Sequence, residues 1–124
     1  MSRLAYLLLM APLLASASPM TVSEAKARAD ASEAALSAAQ STRLLNAQAA
    51  LAKSAFPDCM STTGSKPSDF IVVVELAATG RVLNAWLMGE SEFARCFRDA
   101  MVKRFDYVPL QVPFFTSFEY SNKR

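Results

Sequence analysis

Cys59 and Cys96 are the residues whose type best suits covalent chemistry, and the chain holds two cysteines and no histidine. Without histidine, neither a Ser-His-Asp nor a Cys-His constellation can be assembled. No Cys-x-x-Cys occurs, and no set of ligands stands at metal-site spacing. With only 3 glycines in the chain, there is no glycine-rich phosphate loop either. Glu90 and Glu92 are the closest carboxylate pair, but they flank Ser91 at the start of a helical pattern. There, acidic residues complement the helix dipole. Glu75 stands alone in an apolar run; it pairs with Arg81 or Arg95, or marks the wet end of a strand. Trp86 reads as a core residue ahead of a ligand platform. The chain is therefore expected not to be an enzyme, and to take no cofactor, metal or small-molecule substrate.

What the two cysteines do depends on compartment. Arg3 supplies a short positive region, Leu4 to Leu14 is almost continuously apolar, and Ala15-Ser16-Ala17 offers small residues for a signal peptidase. This is the pattern of a secretory signal peptide, cleaved after Ala17. The apolar run is about half of the roughly 20 residues a spanning helix needs; an uncleaved inner-membrane anchor is the alternative. In an oxidising compartment an even cysteine count implies a crosslink, which here can only join Cys59 to Cys96. Two free buried thiols are the other reading.

Charge excludes one class of partner. The 13 basic and 11 acidic residues leave a formal net charge of +2, and the only basic pairs are Lys103-Arg104 and Lys123-Arg124. Neither has the density or the aromatic interleaving that nucleic-acid binding requires.

Three segments must carry whatever the protein does: residues 1–17 as signal, 18–55 as an alanine-rich helical extension, and 56–124 as a small α+β domain. Between Thr21 and Phe56 there is no glycine or proline, and alanine has the highest helix propensity. A long helix is expected, capped by Thr21 or Ser23 and with a break near Ser41-Thr42. Val22, Ala29 and Leu36, then Leu44, Leu51 and Ala55, give it a thin apolar seam. That seam suits either a lightly docked helix or an oligomerising spacer. Phe56-Pro57 is expected to end the helix, and Pro57 to Thr62 to open a short new one.

The domain then follows by periodicity. Phe70 to Leu76 is apolar on both faces, as a central strand covered on both sides would be, or a strand with one face at an interface. Gly80 supplies a positive φ for the turn at Ala77 to Arg81. In Val82 to Met88, Leu83, Ala85 and Leu87 share one face, and Val82, Asn84, Trp86 and Met88 the other. Ser91 to Arg104 is an amphipathic helix with its stripe at Phe93, Cys96, Phe97, Ala100 and Met101. Pro109 and Pro113 flank the final strand, Phe114 to Tyr120, which suits an edge position.

Several of these residues together resemble the C-terminal domain of TonB-type energy transducers. Phe56-Pro57 stands for a Tyr-Pro, Gly80-Arg81-Val82 reproduces the turn, and Ala100 to Pro109 is similar to the helix end before an aromatic-x-Pro. Related secreted variants carry a cysteine in each of two helices, as Cys59 and Cys96 would. The resemblance covers about half of the chain. It implies a three-stranded antiparallel sheet with helices on one face, and partners that add a strand to the free edge of the last strand. Phe114, Phe115, Thr116, Ser117, Phe118, Glu119 and Tyr120 are then the partner-binding edge. The expected function is a periplasmic protein-interaction module, an adaptor or assembly accessory, with a structural homodimer or larger oligomer, formed through the long helix or through paired last strands, as the alternative. If the N-terminus stays uncleaved, a membrane-anchored transducer is a further alternative.

Overall fold

A computed structural model of the protein describes residues 18–123. The expected signal segment, residues 1–17, lies outside the described residues. Two helices, α1 (Val22–Ala34) and α2 (Ala38–Thr63), precede strands β1 (Phe70–Leu76) and β2 (Val82–Met88), helix α3 (Glu92–Arg104) and strand β3 (Phe114–Tyr120). The fold is α+β. Its antiparallel sheet has the order β2-β1-β3.

Local signals start the helices. The Thr21 hydroxyl accepts from the Glu24 N–H while Glu24 accepts from the Thr21 N–H, closing a capping box on α1. These bonds from Thr21 hold the Glu24 carboxyl below its usual pKa. Ser37 and Gln40 form the same box on α2. The helical region thus breaks at Ala35–Ser37, a few residues before the expected Ser41-Thr42. On α3, the Ser91 hydroxyl accepts from the Ala94 N–H, and Lys103 and Arg104 lie in the last turn, where cations suit the helix dipole.

Pro57 does not end a helix: it lies inside α2, which runs on to Thr63 and a left-handed Gly64. Proline in a helix interior costs about 3 kcal/mol, and the residues around it outweigh that. Ala55 and Cys59 are fully buried. The ring of Phe56 lies 5.2 Å from that of Phe93, 5.4 Å from Phe97 and 5.4 Å from Tyr120. The boundary expected at residues 55/56 consequently falls within one continuous helix.

The main core lies between the sheet and the α2–α3 pair. Phe70, Val72, Val74 and Leu76 of β1 meet Leu44, Leu51 and Ala55 of α2 and Phe93, Phe97 and Met101 of α3. The seam Leu44, Leu51 and Ala55 is buried against this core. The opposite face is covered too, by α1: Ala25 and Ala29 pack on Val73 and Phe115, with Met20, Ile71 and Trp86 at the margin. Helices were expected on one face; α2 and α3 occupy it, and α1 adds a layer on the other. Being central and covered twice, β1 has Val72, Val73 and Val74 all without exposure.

The hairpin holds a correction to the expected faces of β2. The pairing shifts register between Glu75 and Leu76, so that Leu76 opposes Val82 and Leu83 is the extra residue. A bulge of this kind exchanges the two faces beyond it. Val82 therefore packs toward the main core, and Leu83 is 45% exposed. Beyond it, Gly80 has φ 90°, and a Cβ there would lie 2.8 Å from the Tyr107 carbonyl oxygen. Gly80→Ala is expected to cost more than about 1 kcal/mol, from backbone strain and this close approach. A urea midpoint equal to that of the unaltered chain would overturn this account.

The two edges of the sheet as candidate binding surfaces

With β1 in the centre, β2 and β3 are both edges, and the structure treats them differently. At β3, Ser117 turns its N–H and C=O away from β1. The N–H donates to Glu33 Oε2 at 3.0 Å, and the C=O accepts from Gln48 Nε2 at 2.9 Å. The Phe115 N–H, of the same parity, donates to Ser32 Oγ at 3.2 Å. Thr116 is fully buried; its hydroxyl donates to Glu33 Oε2 at 2.6 Å and accepts from Gln48 Nε2 at 3.2 Å. Ser32 and Glu33 come from the end of α1 and Gln48 from α2, so the layers on the two faces meet over this edge. Side chains thus occupy three of the outward main-chain groups of β3, the Phe115 N–H and the N–H and C=O of Ser117.

Further along β3, Lys26 of α1 lies 4.0 Å from Glu119 and also pairs with Asp30. The hydrogen bond to Asp30 raises the lysine's pKa above its ordinary value. Phe114 and Phe115 are buried, while Phe118 and Tyr120 are partly buried against the aromatic core. The Phe118 ring sits 4.5 Å from that of Phe97. Of the expected edge residues, Phe114, Thr116, Phe118 and Tyr120 turn their main chain toward β1, and Phe115, Ser117 and Glu119 turn theirs outward.

Glu33 is the pivot of the β3 cover. Glu33→Ala leaves the Ser117 N–H and the Thr116 hydroxyl without their acceptor, an expected loss of about 1–3 kcal/mol. Glu33→Gln keeps an acceptor oxygen and should lose less. Amide exchange at Ser117 reads the change directly; unaltered protection in Glu33→Ala would show that Glu33 does not hold this edge.

At β2 the parity runs the other way. Because Ser117 faces outward, its register partner Val73 turns toward β2 and pairs with Trp86. Asn84, Trp86 and Met88 therefore carry the ladder to β1, and Ala85 and Leu87 turn their N–H and C=O to the open side. Among the described residues, the hydrogen bonds of β2 outside the sheet and hairpin come from side chains: Asn84 Nδ2 donates to Glu75, and Trp86 Nε1 to the Met20 C=O. Glu75 thus meets Asn84 rather than Arg81 or Arg95. Trp86 is half-buried, with its ring 5.9 Å from that of Phe115. The strand Val-Leu-Asn-Ala-Trp-Leu-Met has neither a charge nor a proline, two of the devices that keep an edge from pairing; its bulge at Leu83, a third, leaves Asn84–Met88 as the regular part of the edge.

No family model, curated protein or solved structure matches this chain.

Cys59 and Cys96 form a disulfide between α2 and α3, with 5.7 Å between their Cα atoms. Beside it, Asp58, Ser61, Thr62, Cys96, Asp99 and Lys103 line an open groove. An exposed Arg104–Asp58 ion pair of 3.0 Å crosses between the helices. Its exposure makes it worth little beside the covalent link. Among the described residues, no helix is long and apolar enough to cross a membrane, and no cluster of His, Cys, Asp and Glu is arranged to hold a metal ion. The Glu90 carbonyl accepts from Arg95, and Glu92 lies in the first turn of α3. Outside the core, the outward N–H and C=O groups of Ala85 and Leu87 on β2 have no hydrogen-bond partner among the described residues.

Proposed function

We propose that this protein is an exported protein-interaction module that captures an extended chain by adding it as a strand to its sheet. The observation that carries this reading is the β2 edge. Over Val82–Met88 it is uncharged, and its outward main-chain groups meet no other element among the described residues. In strand addition, main-chain bonds give affinity and alternate side chains give selectivity. The disulfide is compatible with an oxidising compartment. Together with the apolar N-terminal segment and the resemblance to TonB-type C-terminal domains, it supports a periplasmic adaptor or assembly accessory. Mass spectrometry of the purified chain tests export: a start at Ser18 supports it, and an intact N-terminus favours the anchored alternative.

A second reading places capture at β3, the last strand. It is favoured by the fact that the outward groups of Phe115 and Ser117 are held by side chains, not by a strand. A partner strand would then displace Ser32, Glu33 and Gln48.

Proline variants separate the two. Ala85→Pro removes an outward donor from β2, and Ser117→Pro one from β3; neither position donates to the internal ladder. Pull-downs from envelope extract would use the unaltered chain and both variants, with far-ultraviolet circular dichroism confirming the folds. A partner lost only with Ala85→Pro supports β2, and one lost only with Ser117→Pro supports β3. A partner retained by both rejects strand addition.

A further inference from the structure

The ends of β2 carry opposite charge. Arg81 precedes the uncharged strand, and Glu90 follows it after Gly89. Both residues are exposed, and neither forms an ion pair among the described residues. An antiparallel pairing of β2 with another β2 sets the beginning of one strand against the end of the other. With Ala85 on the two-fold axis, Ala85 faces Ala85 of the second copy and Asn84 faces Trp86, and the bulge at Leu83 ends the regular register there. Arg81, beyond the bulge with its C=O held by the Ala77 N–H, then lies by the end of the other strand, near Glu90. The same contact recurs at the other end by symmetry, as an isologous interface requires. A parallel pairing would instead set Arg81 near Arg81 and Glu90 near Glu90.

We infer that the occupant of the β2 edge is a second copy of this chain, added antiparallel about a two-fold axis through Ala85. This rests on the reading of β2 as a strand-adding edge and names the partner. Ala85 turns both its N–H and its C=O outward, so the central pair exchanges two hydrogen bonds. The two three-stranded sheets join into one sheet of six strands. Its outer edges are then both β3, each closed by Ser32, Glu33 and Gln48. That cover opposes further strand addition at β3, so assembly stops at two copies instead of running on as a fibre. A single strand pair is smaller than a standard interface of about 1,600 Å², so association falls in the micromolar range and weakens as salt screens the Arg81–Glu90 contacts.

The test is sedimentation velocity on the full chain as its host processes it, over a range of concentrations. The expected result is a monomer–dimer equilibrium. Arg81→Glu and Glu90→Arg should each weaken the homodimer several-fold, up to about tenfold for two exposed pairs per dimer. Mixing the two variants should restore association, because each contact in the mixed dimer again joins an acid to a base. Ala85→Pro should abolish the dimer with its circular dichroism unchanged. A chain that stays monomeric at every concentration overturns the inference. So does a dimer in which mixing the charge variants gives no rescue. Neither result touches the broader reading of β2, since a monomer can still lose an envelope partner on Ala85→Pro. That broader reading fails only if the proline leaves all capture intact.

Discussion

Phe97→Ala is expected to lower the unfolding free energy by about 3–5 kcal/mol, the usual range for deleting a buried aromatic ring. Phe97 has no exposure and sits at the centre of the aromatic cluster. Its ring centroid is 5.4 Å from that of Phe56, 5.2 Å from Phe70 and 4.5 Å from Phe118. It is therefore the point where α2, α3, β1 and β3 touch a single side chain. Neighbours drawn from four elements cannot collapse together into the space that the ring leaves, so the cavity contribution adds to the lost transfer free energy. Leu83→Ala is the matched control. Leu83 is the bulge residue and is 45% exposed, and its loss should be within about 0.5 kcal/mol, as for most surface substitutions. Urea titration of both variants checks the pair. A loss below about 1.5 kcal/mol at Phe97 would mean that the cluster repacks freely and is not the core of the fold.

Replacing Cys59 and Cys96 together with alanine is expected to lower stability by about 3–4 kcal/mol under oxidising conditions. The link closes a loop with a sequence separation of 37, and the chain-entropy argument gives that magnitude for a loop of this length. Its placement adds to the effect. It ties α2 to α3 on the same side of the sheet, just beyond the turn where Pro57 sits inside α2. The reduced protein should therefore open first along the last turns of α2, with amide protection there falling before that of β1. The measurement is thermal unfolding of the unaltered chain with and without reductant, beside the double alanine variant. Reductant should lower the unaltered chain toward the variant and leave the variant where it was. Equal midpoints in all states would sink the proposed contribution of the crosslink.

The residues near Pro57 show what a local reading misses. Proline removes a donor and disfavours a helical residue before it, so a helix end at Phe56 is the right inference from neighbours in sequence. The helix continues because Phe56 is gripped by rings of α3 and β3 and Cys59 by Cys96. Those partners are tens of residues away, where no local pattern reaches them. The break between α1 and α2 is a different case. Ser37-Ala38-Ala39-Gln40 is a capping box, legible in the sequence once that spacing is looked for; an alanine-rich background hides it from periodicity. The exchange of Val82 and Leu83 between faces follows from one extra residue in the hairpin, which neither the apolar pattern nor the presence of Gly80 places.

The edge position of β3 was legible as the place that its flanking Pro109 and Pro113 suit, and the helix α3 was legible because its stripe of Phe93, Phe97, Ala100 and Met101 has the helical period. The covering of that edge was not. Ser32 and Glu33 look like ordinary polar residues of an alanine-rich helix, and only the docking of α1 brings them to Phe115, Thr116 and Ser117, with sequence separations of 83 and 84. The parity of the edge was equally out of reach. Thr116 turns inward to Val74, so a proline there would break a ladder bond, whereas Phe115 and Ser117 face away from β1.

By itself the sequence determined the α+β class, the two apolar faces of β1, the single possible cysteine pairing, the amphipathic α3 and the positive φ that Gly80 supplies at the hairpin. Each of these depends on residue type or on periods of 2 and 3.6, which are properties of neighbouring residues. The tertiary structure alone decided that α2 passes through Pro57, that α1 adds a layer to the second face, and that side chains hold outward groups of β3 at Phe115 and Ser117 but none of those at Ala85 and Leu87 of β2. These depend on which distant side chains reach a given main-chain group. Gln48 meets Ser117 across a separation of 69 residues, and the same polar residue at another helix turn would have left the Ser117 C=O without that donor.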